Sequence, residues 1–132
     1  MKLYTVLFAL LFTYCFQTFA EEAKAVKPLD IVNQRMQAHN DHNIEAFLAT
    51  YSPDIQVYDY PNTPLGNKGH AHLRSIFSPL FKDKAVSVEI HSQLDNGKYI
   101  INQETVTRHG EEFRYLSIYE VEDGLIQSCL LY

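Results

Sequence analysis

Apolar and polar positions along the chain follow two periods, and the change from one to the other divides the molecule. From Pro28 to Asn40 the apolar residues Ile31, Val32 and Met36 recur at helical spacing, with Arg35 and His39 in or beside the same stripe. Pro28 suits the first turn, where its missing N–H is not needed and its φ is already helical. "NDHN" breaks the pattern. Asn43 is placed to cap a second helix over "IEAFLATY", in which Ile44, Phe47, Leu48 and Tyr51 share one side. Pro53 is expected to close that helix, "DIQVYD" alternates as a short strand, and "PNTPLGNKG" has the composition of a loop. A third helix over "HAHLRSIFSPLF" gathers Leu73, Ile76, Phe77, Leu80 and Phe81 on one side, with Pro79 expected to kink or shorten its last turn.

After Lys84 the period falls to two. In "AVSVEIHSQL" Val86, Val88, Ile90 and Leu94 are expected to face inward and Ser87, Glu89, His91 and Gln93 outward. "YIINQETVTR", "FRYLSIYEVE" and "LIQSCLLY" follow, separated by turns at "DNGK", "HGEE" and "EDGL", which predicts an antiparallel meander of four strands. Helices first and strands afterwards give an α+β architecture with one curved sheet. At 132 residues the chain has room for one domain with a real core.

The first twenty residues stand apart from that core. Lys2, the apolar "LYTVLFALLFTYCF" and "QTFA" before "EEAK" form the three parts of a secretory signal peptide, with cleavage expected after Ala20 and a second small-x-small site at Ala23 to Ala25. The competing reading is a membrane anchor, because the run is close to the shortest that spans. Thr13, Tyr14 and Gln17 dilute its far end and favour removal. Residues 21–27 then read as a linker and residues 28–132 as the domain, exported to a periplasmic or extracellular space and free of the membrane after cleavage. Without Lys2 the chain keeps ten basic residues against sixteen acidic ones and has no basic run, which argues against nucleic acid as a partner. Of the two cysteines only Cys129 would remain, so the fold would rest on packing without an internal disulfide.

"NDHNIEAFLATYSPDIQVYDYPN", "LGNKGHAHLRSIF" and "IYEVEDGLI", in that order and spacing, resemble the nuclear transport factor 2-like superfamily, and within it the SnoaL-like and ketosteroid-isomerase-like domains. The resemblance covers about Leu29 to Tyr132. It implies a conical fold, three N-terminal helices packed in a strongly curved, mainly antiparallel β-sheet, with an apolar pocket at the open end and commonly a homodimer through the sheet. It also implies a role for Asp59. Aligned through "Y-x-x-D-x-x-V-x-D", Asp59 falls where ketosteroid isomerases hold the proton-shuttling aspartate. Alternation agrees, since Ile55, Val57 and Asp59 share one side of the strand. A carboxylate beside an apolar pocket is a usable general acid or base. The alternative is an aspartate that shapes the turn before Pro61.

The rest of the isomerase apparatus is not matched. Its tyrosine falls at Arg35 and its protonated aspartate at Ser117, so an oxyanion, if one forms, would rely on Arg35, Ser117 or Tyr119. Arg35 inside the cone would need an anion, which Asp59, Glu104 or a ligand carboxylate would supply, although Glu104 is equally placed for the outer face of a twisted strand. His39, in phase with the apolar stripe, is a further pocket candidate. Tyr58 and Tyr60 alternate away from Asp59 toward the rim or a partner. His70 and His72 have no metal-ligand spacing, no cofactor motif occurs, and Cys129 reads as a buried small hydrophobe. The expected ligand is a small apolar molecule. The expected chemistry, if any, is a cofactor-independent isomerase, cyclase or lyase reaction; the alternative is a non-catalytic binding or dimerisation module.

Overall fold

The computed structural model describes residues 25–132, and the expected leader over residues 1–20 lies outside the described residues. Helix α1 spans Pro28–Asn40, with Pro28 in its first turn as its geometry favours. Helix α2 spans Ile44–Ala49, and the Asn43 side chain accepts the Ala46 N–H at 3.1 Å, satisfying one of the donors that a helix start leaves free.

Strand β1 spans Tyr51–Asp59, so Tyr51 opens a strand rather than ending α2, and Pro53 lies inside that strand. Thr50 makes the switch. Its hydroxyl donates to the Phe47 carbonyl at 2.7 Å, closing the helix, while its own carbonyl accepts the Ile126 N–H at 2.8 Å. Pro53 is tolerated because the pairing of β1 is irregular between Tyr51 and Gln56, where no ladder bond is asked of it. The loop that follows contains a two-residue strand β2, Thr63–Pro64, paired with the end of β1.

Helix α3, His70–Lys82, runs through Pro79 to its expected end. The bond that Pro79 removes would have gone to the carbonyl of Ser75, an exposed residue whose carbonyl water can reach. Strands β3 (Val86–Asn96), β4 (Tyr99–Arg108), β5 (Glu111–Glu122) and β6 (Leu125–Leu131) form the predicted meander. The irregular pairing of β3 between Ile90 and Ser92 shifts its phase, so Leu94 faces outward and Gln93 inward, the reverse of the strict alternation. Two turns of the meander have both central residues at positive φ, His109 and Gly110 at 50° and 82°, Asp123 and Gly124 at 53° and 71°. That backbone matches the twist of the strands it joins.

The sheet order is β2-β1-β6-β5-β4-β3. All neighbours are antiparallel except β1 and β6, which run parallel and put the last strand in the middle of the sheet. The curved, open sheet carries the helices on its inner face. Ile100, Tyr119, Val121 and Cys129 face Val32, Met36, Phe47 and Phe81 to make the core.

The outer face has a pattern of its own. Cα partners Leu94, Ile101, Ile118, Leu130, Tyr58 and Pro64 form one row across all six strands. Leu94 and Pro64 are exposed, and the four residues between them are half-buried. Tyr60 and Tyr132, both exposed, pack edge to face beside the row with ring centroids 4.7 Å apart.

Candidate functional site

Between the helices and the inner face lies an apolar cavity of about 170 Å³, walled by Tyr51 and Val57 of β1, Leu73 and Phe77 of α3, and Tyr119 and Cys129 of the sheet. Leu65 and His72 bound it on the side of the β2–α3 loop. A second lobe of about 120 Å³ continues toward His39, Leu80, Val106 and Tyr115. Arg35, Ile76, Phe77 and Leu131 line both lobes. A pocket that is mostly apolar with a few convergent polar groups is the usual form of a small-molecule site.

Arg35 and His39 reach this interior because they lie four residues apart on the buried stripe of α1. The Arg35 guanidinium carbon stands 5.1 Å from the Phe47 ring centroid and 5.5 Å from that of Tyr119, so both rings stabilise its charge. Its Nε donates to the Tyr51 hydroxyl at 2.8 Å. Burial disfavours the charge, but Tyr119, Tyr51 and Glu104 more than offset it, and Arg35 is held firmly cationic. His39 sits among Phe47, Phe77 and Phe81, with ring centroids 5.4 to 5.9 Å away. Its Nδ1 has no hydrogen-bond partner among the described residues. Burial, aided by the charge on Arg35, pushes the imidazole down to about 3, so it is neutral at physiological pH.

Glu104 is the carboxylate inside the cone. Alternation along β4 puts it in phase with Ile100 and Asn102, and it is 2 % exposed. Ser117 Oγ donates to its Oε1 at 2.7 Å, the Tyr119 hydroxyl at 3.1 Å, and Asn102 Nδ2 to its Oε2 at 3.2 Å. Gln93 extends the network, donating to Asn102 at 2.9 Å and to Asn33 of α1 at 3.1 Å. A buried acid with both oxygens engaged in this way is a structural hub rather than a free base. Burial raises the Tyr119 phenol well above its ordinary range and that of Tyr51 less so, and it pushes the Cys129 thiol up to about 12. These groups are therefore neutral hydrogen-bonding or packing elements, and Cys129 is no nucleophile.

Of the residues singled out from sequence, the fold brings Arg35, His39 and Tyr119 together at the cavity. Ser117 lies behind them with its hydroxyl donated to Glu104, as is that of Tyr119; as oxyanion donors both would first have to leave that carboxylate. Asp59 is placed otherwise than a buried acid. It keeps the inward side of β1, next to Leu131 in the register, but the strand has by then run past the core. Its carboxylate is exposed, and Oδ1 accepts the Tyr60 N–H at 3.1 Å. Alternation gives the side of a strand, not how far the core extends along it. The histidines serve the backbone and packing: His70 Nε2 lies 2.9 Å from the Tyr51 carbonyl, and His72 packs on Gly66. Sequence reasoning left out Tyr51 as the Arg35 acceptor and Leu65 and His72 as wall residues. The Tyr51 contact follows only from its being in the strand.

The SnoaL-like domain description matches residues 32–129, most of the chain and the elements that build the cavity except the first turn of α1 and the last two residues of β6. The chain belongs to the SnoaL-like domain family. Solved structures share the fold. A cystatin-fold protein from Novosphingobium aromaticivorans superposes with a TM-score of 0.73 at 18% identity, over 81% of this chain and 98% of that one. A protein assigned as a polyketide cyclase from Sinorhizobium meliloti gives 0.65 at 18%, over 81% and 100%. An LEH-like epoxide hydrolase from M. tuberculosis gives 0.64 at 15%, over 80% of each chain. No curated protein sequence matches this SnoaL-like domain. At such identities the likeness carries the nuclear transport factor 2-like fold and no chemistry.

Proposed function

We propose that this SnoaL-like domain binds a small apolar molecule in its cone. The observation that carries the reading is the 170 Å³ apolar cavity with Arg35 and Tyr119 in its wall. An apolar cavity of about 150 Å³ is enough to take up a benzene ring, so the main lobe suits a ring or a short branched chain. Fold neighbours assigned to cyclisation and epoxide hydrolysis are consistent with such a pocket. Native mass spectrometry of the purified protein, with melting curves in the presence of toluene, tests it. A bound small mass or a rise in Tm is expected; neither appearing would sink the reading.

Proton transfer is the second reading, and its acid or base is Asp59. Asp59 lines neither lobe, but it is the register partner of Leu131, which lines both, and that nearness supports the reading. Asp59→Asn keeps the shape and the turn but removes the proton carrier. Loss of turnover with unchanged melting supports catalysis, whereas unaltered ligand handling leaves a binding module. The apolar row on the outer face supports a homodimer through the sheet, since exposed apolar patches of this kind usually meet a partner. The leader supports export; Edman sequencing of mature protein beginning at Glu21 or just after Ala25 is the expected result, and an intact Met1 in a membrane fraction would make it an anchor. Among the described residues no helix is long and apolar enough to cross a membrane.

A further inference from the structure

We infer that Arg35 anchors a small organic monocarboxylate whose apolar body fills the adjoining lobe; this rests on the reading of the cone as a small-molecule site. Arg35 is only 8 % exposed, yet no carboxylate lies within ion-pair distance of it among the described residues. Glu104 balances it only at longer range, its oxygens being engaged by Ser117, Tyr119 and Asn102. A buried charge without a close counter-ion is costly, and a ligand that supplies one is favoured.

The guanidinium is also oriented for it. Phe47 and Tyr119 lie against the cation, Nε is bonded to Tyr51, and Nη1 points at the Met36 sulfur at 3.1 Å, a weak acceptor. Nη2 donates to none of the described residues. The edge left over belongs to a side chain that lines both lobes. A carboxylate is planar and matches that edge with short charge-assisted bonds. Arg35 is the buried cation of the cavity; Arg108, which also lines the second lobe, is exposed and stands over the Phe113 ring, so the interior suits one negative charge. The remaining walls are mostly aliphatic and aromatic, with His72 in the first lobe and His39 and Arg108 in the second, so the rest of the ligand is largely apolar and close to a benzene ring in size.

The test uses sodium benzoate, with benzamide and toluene as neutral molecules of similar shape, titrated into the purified protein by calorimetry at neutral pH. Benzoate is expected to bind about tenfold or more tighter than benzamide, the usual effect of a hydrogen bond to a charged group. Arg35→Gln should erase that preference, and Arg35→Lys should retain part of it. If benzamide or toluene binds as well as benzoate, the carboxylate site is wrong while the apolar cavity stands. If none of the three binds, the cavity reading falls and the carboxylate site falls with it. Should Arg35→Gln fail to fold, the comparison of benzoate with benzamide on the unaltered protein decides alone.

Discussion

The buried imidazole of His39 ties stability to acidity. In the unfolded chain it takes up a proton near its ordinary value of 6.5, whereas in the fold it resists protonation until about 3. Between those values the unfolded state binds more protons, so the contribution is complete above 6.5 and is lost as the pH falls toward 3. Urea unfolding at pH 7 and pH 5 should show the protein losing about 2 kcal/mol more than His39→Phe over that interval. Equal losses would place the acid sensitivity elsewhere. Glu104 offers a sharper test. Glu104→Ala strands three buried donors, from Ser117, Tyr119 and Asn102, and should cost about 3 kcal/mol or more in unfolding free energy. A loss under about 1 kcal/mol would show that the network contributes little. The sequence leaves Glu104 open to either face of β4, and in the fold it takes the inner one with Ile100 and Asn102. The solvent exposure of Asp59 was not legible either, since no local signal marks where the helices stop covering β1.

The elements were legible where their signals are local. Pro28, Asn43 and the turn residues at His109–Gly110 and Asp123–Gly124 act within a few positions of themselves, and the structure has those boundaries. Tyr51 was not legible, because it is in phase with Ile44, Phe47 and Leu48, and only the distant Ile126 draws it into the sheet. The segment between β2 and α3 is fixed by Gly66, which has φ 74° and no room for a Cβ against the His72 ring. Gly66→Ala is therefore expected to cost about 1 kcal/mol or more from backbone strain alone. It should also displace His72 from the cavity wall, weakening whatever the lobe binds. Unchanged melting together with unchanged binding would mean that this segment adapts freely.

At the scale of the whole molecule, the outer face of the sheet carries an apolar row across all six strands. Analytical ultracentrifugation at micromolar concentration should give a dimer, and Ile118→Glu, at the centre of the row, should give a monomer with little change in the inner core. A monomer without any substitution would leave the row to another partner. What the sequence could not show is the size of the cavity, which depends on how α1 and α3 sit over the sheet.

The placement of β6 between β1 and β5 has a consequence in time. A ribosome makes β1 early and β6 last, so the first strand must wait for its principal neighbour until nearly the whole domain has emerged. Until then Ile55, Val57 and the aromatic side chains of α2 and α3 have helices around them but no floor beneath. The meander from β3 to β5 can assemble locally as it appears, whereas the cone closes only when the final strand slides in. A nascent chain of this design is committed to holding the apolar sides of β1, α2 and α3 open until its last strand emerges, and to closing its cone only then.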